Sequence, residues 1–365
     1  MFRLLAVFIV IAALGPASAA PTPGQGPAIV IHAGRLLDKP GASPRGPATI
    51  VIRDGRIESI ADGIVAAPRG AKVIDLRDRF VLPGLIDSHV HLTSDKAGVE
   101  AQLQSVTASI AANAYEAADN ARKTLEAGFT TVRNLGDRDG VTLALRDAIA
   151  EGKIIGPRIL DAAAAISTTA GHMDPTLGFR DELAGALDVH ENLCDGIESC
   201  RRAVRKQVRR GADVIKIATT GGVNSRIGKG LGRQMFADEV KALVDTAHLY
   251  GLKVAVHAHG ADGIAMALRA GADSIEHGTL MGEEEARLFI RSGAYYVPTL
   301  STVNGYIERL KRDPNAYTPE VRKKIDWRIQ ITGRAFKIAH KRGVKIAFGT
   351  DAGVSLHGPT PTSSN

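Results

Sequence analysis

The side chains able to do chemistry in this chain are histidines, one lysine and one aspartate, and they stand at the ends of short apolar runs. His89 and His91 close the stretch Leu85-Ile86-Asp87-Ser88-His89-Val90-His91. Strand side chains repeat with period two, so both imidazoles leave one face and Val90 points away between them. His257-Ala258-His259 repeats that spacing, Glu276-His277-Gly278 adds another histidine, and Gly349-Thr350-Asp351-Ala352 supplies a carboxylate. Lys216 lies inside the apolar run Val214-Ile215-Lys216-Ile217, where an amine is costly unless paired or modified. Taken singly, each has an ordinary explanation: paired strand histidines, a satisfied core histidine, a helix N-cap aspartate. His259 lies past its strand end, where it can hydrogen-bond a neighbour or a substrate. Histidine or aspartate at four separate strand ends, with a buried lysine, is together a metal-binding pattern. Neutral imidazole suits a borderline divalent ion such as zinc.

These residues need strands to carry them, and the chain after residue 91 reads as regular alternation. Helices are predicted over 106–127, 141–150, 200–210, 237–250, 261–270, 283–291 and 319–341. Each is followed by a strand, at 130–134, 158–162, 214–218, 253–257, 273–276, 295–298 and 344–349. Gly128, Gly211, Gly271 and Gly343 stand where helices would end. With an opening strand over 81–92, whose Val81, Leu82, Leu85 and Ile86 read as core, this makes eight strands. Eight such units fit a (β/α)₈ barrel better than an open doubly wound sheet. No Gly-x-Gly-x-x-Gly opens a helix after a strand, which disfavours a dinucleotide site. In such a barrel the chemistry sits at the C-terminal strand ends, where the histidines fall.

Upstream, strands are predicted at 28–32, 48–52, 56–60 and 72–76, with Asp54-Gly55 as a hairpin signal. This gives a division into a signal peptide at 1–19, a small β domain at 20–80, a barrel at 81–358 and a polar tail at 359–365. Arg3, the apolar run 4–14 and Ala17-Ser18-Ala19 have the form of a cleavable secretory signal, so a periplasmic or secreted protein is expected. The apolar run is too short for a comfortable membrane span, and no stable membrane insertion is expected after cleavage. The two cysteines, Cys194 and Cys200, flank an Asp195-Gly196 turn. In an exported chain this favours a local disulfide over two buried thiols, and nothing nearby completes a zinc set. Aromatic content is only 4%, which argues against nucleic-acid readout by stacked bases. The basic run 201–210, at helical spacing, reads as one solvated face.

The set Pro83-Gly84-Leu85-Ile86-Asp87-Ser88-His89-Val90-His91, Val214-Ile215-Lys216-Ile217, His257-Ala258-His259-Gly260, Ser274-Ile275-Glu276-His277-Gly278 and Gly349-Thr350-Asp351-Ala352-Gly353 resembles the amidohydrolase superfamily. Within it the chain is most similar to the prolidase and imidazolonepropionase-like group of Xaa-Pro dipeptidases, over residues 28–358. The resemblance implies a (β/α)₈ TIM-like barrel beside a small β-sandwich-type domain. It also implies two divalent metal ions, usually zinc. His89, His91 and Asp351 would hold one and His257 and His277 the other, bridged by Lys216 carboxylated on Nζ. A bridging hydroxide would attack the scissile amide, and Asp351 would carry the proton to the leaving amine. His172, in the loop after the third barrel strand, would help polarise the carbonyl; a solvent-facing histidine is the alternative from sequence alone.

A dipeptide or N-acyl amino acid also brings a free carboxylate, for which Arg226 in the long Gly-rich loop 219–236 is a candidate, against the alternative of a solvated surface arginine. His259 is a second candidate for substrate contact. The alternatives are a hydrolase or deaminase of cyclic amides or imines, and an inactive scaffold. A small-molecule substrate, no nucleic acid and compatibility with a homo-oligomer complete the reading. Relatives are expected to continue past the last barrel aspartate with a helix and strands that complete the small domain. A chain lacking them is expected to leave one apolar set among Val344, Ile346 and Phe348 uncovered.

Overall fold

A computed structural model describes residues 26–137, 139–186, 192–225 and 230–357. The expected signal segment 1–19, the tail 359–365 and Arg226 lie outside the described residues. The chain divides into two compact units that meet in sequence at Pro83 and Gly84. The first is one four-stranded sheet. It comprises β1 (Ile29–Leu36), β2 (Ala48–Arg53), β3 (Arg56–Asp62) and β4 (Lys72–Val81), in the order β3-β2-β1-β4. The β2–β3 hairpin turns at Asp54-Gly55, both with positive φ. Ala33, Leu36, Ala48 and Ile50 form its small buried cluster.

The second unit is the barrel. Three parallel strands, β5 (Leu85–Val90), β6 (Phe129–Asn134) and β7 (Arg158–Asp161), form one run. Four more, β8 (Val214–Ala218), β9 (Lys253–Ala258), β10 (Ser274–His277) and β11 (Tyr295–Val297), form the other. Two seams close the ring. Ile166, beyond β7, bonds to β8 through Ile166 N–H to Lys216 O (2.8 Å) and Ala218 N–H to Ile166 O (3.0 Å). The eighth strand is an extended segment at 344–349. It takes Tyr296 N–H at Lys345 O (2.8 Å) on one side and Ser88 N–H at Phe348 O (2.9 Å) on the other. Ile215, Ile217, Val254, Val256 and Ile275 point outward into a fully buried layer. It is shared with α5 (Ile197–Arg210), α6 (Ala237–Leu249), α7 (Ala261–Ala270) and α8 (Glu283–Ser292). Lys216 therefore faces the barrel interior.

Five elements depart from the sequence reading. The helix predicted over 106–127 is two, α1 (Gly98–Thr107) and α2 (Ile110–Glu126), because Ser109 caps the Ala112 N–H and restarts the helix. The helix predicted over 319–341 is α10 (Pro319–Ile331) and α11 (Arg334–Arg342), broken where Gly333 takes φ +83°. Two helices not foreseen are α4 (Asp181–Ala186) after β7 and α9 (Thr302–Arg312) after β11, whereas α3 (Val141–Ala150) lies where it is expected. Finally, the strand expected over 81–92 is interrupted at 82–84. Leu82, Leu85 and Ile86 are 45%, 42% and 60% exposed rather than core. The burial of β5 lies in its second half, at Asp87, His89 and Val90, with Val90 in one buried cluster with Ala117 and Ala121 of α2, while Ile86 lines a cavity at the opposite strand ends. Cys194 and Cys200 are disulfide-bonded. The basic run lies on α5 with Arg201, Arg202, Arg205 and Arg209 exposed, and Cys200, Ala203, Val204 and Gln207 buried beneath.

Candidate metal centre

His89 owes its aim to an irregular strand end. The β5–β6 register shifts between Asp87 and Val90, and such a bulge re-aims the side chains beside it. Buried Asp87 fixes the local backbone. It accepts His89 N–H and Thr350 N–H, both at 3.0 Å, and the Thr350 hydroxyl at 2.5 Å, tying β5 to the closing segment. Burial pushes the Asp87 carboxyl up to about 6. His91 lies just past β5, and Asp351 N–H bonds to His89 O (2.7 Å) across the seam. His277 and Asp351 both have left-handed backbones, φ +69° and +54°. Such conformations cost energy in non-glycine residues and cluster at functional sites. Gly353 leaves room here, since a Cβ would lie 2.9 Å from His91 Cβ.

These strand ends surround a cavity of about 220 Å³. His89, His91, His172, His257, His259, His277 and Asp351 line it, with Asn224, Thr302, Tyr306 and Arg328. His89 Nε2 and His91 Nε2 each lie 3.5 Å from Asp351 Oδ1, and His277 Nδ1 lies 4.0 Å from Oδ2. Ligand atoms sharing a tetrahedral ion at about 2.0–2.2 Å stand about 3.3–3.5 Å apart. The ligand atoms of His89, His277 and Asp351 form one close group and those of His257, His259 and His277 another, each within 4.8 Å.

The hydrogen bonds set which imidazole nitrogens stay open. Glu276 Oε2 takes His89 Nδ1–H at 2.8 Å, leaving Nε2 with its lone pair toward Asp351. Gly136 O can only accept, so at 3.5 Å it directs the His91 proton to Nδ1. Gly221 O does the same at His257 Nε2 (3.4 Å), and His257 Nδ1 is left buried without a partner. His259 Nδ1 and His277 Nδ1 engage Thr279 and Thr299 hydroxyls at 2.8 and 2.7 Å. Burial is the largest influence on all these rings. It pushes His89 and His91 down to about 4, and His257, His259 and His277 well below the ordinary histidine range. At neutral pH they are neutral donors, as a metal requires.

Lys216 completes the set. Its side chain is fully buried and, among the described residues, Nζ has no hydrogen-bond partner. Burial lowers its pKa to about 8, opposed by Glu276 and Asp351. A buried amine with nothing to bond, beside open imidazole nitrogens and a carboxylate, fits a lysine that is modified or ligating. Behind His89 stands a support that sequence reading did not assign. Burial would raise Glu276, but the Arg133 guanidinium at 2.7 Å and His89 hold it down at about 2. Ser274 Oγ donates to the same carboxylate at 2.6 Å. Ligating histidines commonly donate their second N–H to such a carboxylate. Glu276 was visible beside His277, but Arg133 comes from β6, distant in sequence.

His172 joins the cavity. Its ring stacks on His257 at 4.1 Å between centroids, and Nδ1 is 2.5 Å from Ser225 Oγ. Gly222 makes the room, since a Cβ there would lie 2.2 Å from His172 Cε1. Burial lowers His172 to about 3, with Lys216 and Lys324 adding to it. A larger cavity, about 550 Å³, opens at the opposite strand ends, where Arg133 lines it but none of these histidines does. The chemistry belongs to the smaller one.

The model of the Amidohydrolase family matches residues 80–362. Ochratoxinase of Aspergillus niger is 32% identical over 351 residues, covering 91% of this chain and 70% of its own. A Xaa-Pro dipeptidase with methionine bound in its active site is 42% identical at TM-score 0.84, covering 91% of this chain and 81% of that one. A prolidase complexed with N-methylphosphonate-L-proline is 31% identical at TM-score 0.78, over 89% of this chain and 78% of that one. Barrel, donor set and sequence agree, and the chain belongs to the amidohydrolase family, metal-dependent hydrolases acting on carbon–nitrogen bonds.

Proposed function

We propose that this chain hydrolyses the amide bond of dipeptides, Xaa-Pro among them, or of N-acyl amino acids, with two divalent metal ions, zinc being the first choice. The observation that carries the reading is a fully buried Lys216 Nζ without a hydrogen-bond partner among the described residues, in electrostatic interaction with His89, His91 and Asp351, whose side chains line the cavity. In this reading His89, His91 and Asp351 would hold one ion and His257 and His277 the other, with carboxylated Lys216 as a ligand that both would share. Carboxylation needs a neutral amine, and a pKa lowered to about 8 leaves a useful fraction neutral near pH 7. Bound there, the ions supply Lewis-acid polarisation of the carbonyl and lower the pKa of water.

The chain's own groups do the rest. Burial raises the Asp351 carboxyl, with His91 and Lys216 opposing, which suits it to accept a proton and return it to the leaving amine. Ser225 Oγ accepts Gly222 N–H at 3.1 Å, so its own proton turns to His172 Nδ1. That leaves the His172 proton on Nε2, where it can donate to a carbonyl oxygen. His259, with its ring centroid 4.8 Å from those of both His257 and His277, contacts substrate. The dipeptidase and prolidase among its structural relatives support a peptide substrate, and ochratoxinase widens it to other amides. Export is proposed too, supported by the Cys194–Cys200 bond.

The test is elemental analysis of protein loaded with zinc and bicarbonate, beside a screen of dipeptides and N-acyl amino acids. About two metals per chain and turnover of such amides are expected. One metal or fewer sinks the paired centre, and no amide turnover sinks the activity.

A further inference from the structure

We infer that Arg328, with Tyr306, seats a substrate carboxylate at the wall of the metal-centre cavity, so that the site selects free acids over their uncharged analogues. This deepens the hydrolase reading above and rests on it for the word substrate. Arg328 sits on α10 and is only 4% exposed. Its guanidinium has five N–H donors. Among the described residues it has two contacts, both long: Nη2 to Pro298 O at 3.5 Å and Nη1 to Thr332 Oγ1 at 3.4 Å. No described carboxylate forms a contact ion pair with it, whereas Arg133 bonds the Glu276 carboxylate at 2.7 Å and Arg309 bonds Gly353 O at 3.0 Å. Asp351 acts on it electrostatically without forming a contact ion pair, so the buried cation is only partly compensated and gains when an anion arrives at its fork.

The metal-centre cavity gives an anion access to it. Arg328 lines the same 220 Å³ cavity as His89, His257, His277 and Asp351. Asp351 is directed at the imidazoles, 3.5 Å from His89 and His91, and makes no ion pair with Arg328. Tyr306 lines the cavity beside it, is buried, and packs edge-on to Tyr317 at 6.1 Å. Burial pushes its hydroxyl pKa upward, so it stays a donor. A planar guanidinium fork plus one hydroxyl donor is a carboxylate site. The neighbouring cation, Lys324, is half-buried, with Nζ bonded to Gly222 O and Ser225 O. Arg328 remains the free partner for a carboxylate one short residue from the scissile bond.

The experiment uses the metal-loaded full chain and a ligand pair without a bond to cleave, L-methionine and L-methioninol, by calorimetry. The acid is expected to bind at least ~30-fold tighter. Arg328→Gln should bring that ratio close to one with metal content unchanged. Arg328→Lys, which keeps the charge but not the fork, should recover only part of it, and Tyr306→Phe should weaken the acid alone by a few-fold. A wild type without acid preference, or an Arg328→Gln that weakens both ligands equally, overturns the inference. If Arg328→Gln does not fold, an unchanged ratio in both Arg328→Lys and Tyr306→Phe overturns it. Binding is read apart from turnover. A protein that binds the acid through Arg328 but cleaves no amide refutes the hydrolase reading only; one that cleaves N-acetyl-L-methionine and its amide equally well refutes the carboxylate site only.

Discussion

Lys216 has surroundings that a lone amine cannot satisfy: full burial, no hydrogen-bond partner among the described residues, and electrostatic interaction with the buried His89 and His91 rings. Lys216→Ala should lose bound metal and activity together, and a short carboxylic acid added to the variant should restore part of both. Lys216→Arg should fail as well, since guanidinium forms no carbamate. Full activity in Lys216→Ala would end the bridging role. Asp351 is tested by a near-isosteric change. Asp351→Asn keeps the shape but removes the proton acceptor, so kcat should fall by at least ~10²-fold. Metal content is measured in parallel, and a near-native kcat would place the base elsewhere.

At the scale of elements, the site is assembled where regular structure breaks down. β5 bulges before His89, β10 ends in a left-handed His277, and the closing segment ends in a left-handed Asp351. The loop after β8 matters through Gly222, which gives His172 the space to stack on His257. Gly222→Ala drives a Cβ into that ring, which must move. The expected result is kcat lowered by roughly ten-fold or more with metal content unchanged, since His172 polarises the carbonyl in this reading without holding metal. Loss of metal in that variant would mean the loop supports the ligands instead.

Across the whole molecule, the donor set ties β5, β9, β10 and the closing segment to one point. A ligand that binds only the folded state stabilises it, so chelation should lower Tm, by several degrees for a tightly held ion. The chelated protein should also be acid-sensitive, with a definite sign. Burial lowers His89 and His91 to about 4 and His172 to about 3, against 6.5 unfolded. His257, His259 and His277 lie well below 6.5 too. The unfolded chain therefore binds more protons below 6.5, so stability is full above that value and is lost as pH falls toward about 4. Asp87 and Asp161, raised by burial to about 6, act in the opposite sense, as do Asp137 and Asp351, also raised by burial, while His357 is lowered like the other rings. Four carboxyls against seven imidazoles do not reverse it. Scanning calorimetry of chelated protein between pH 7.5 and 4.5 checks this; a flat or rising Tm on acidification would contradict the burial of neutral histidines.

By itself the sequence determined the alternation of eight strands with helices and the residues at the strand ends. Period two put His89 and His91 on one face, and apolar runs around Lys216 demanded its burial. It also marked the turn that pairs Cys194 with Cys200. Local pattern carries such information because side-chain period and turn chemistry are local properties. Only the tertiary structure decided that Leu85 and Ile86 are exposed while Val90 of the same strand is fully buried, since a run of apolar residues does not say which positions are covered. It decided that Gly333 breaks one long helix into two, because a single glycine inside a helical pattern is compatible with either outcome. It brought Arg133 to Glu276 across 143 residues and Arg328 to the wall of the cavity. Those placements depend on the closure of the barrel and the packing of α10, and no spacing in the chain encodes a contact made through a closed ring.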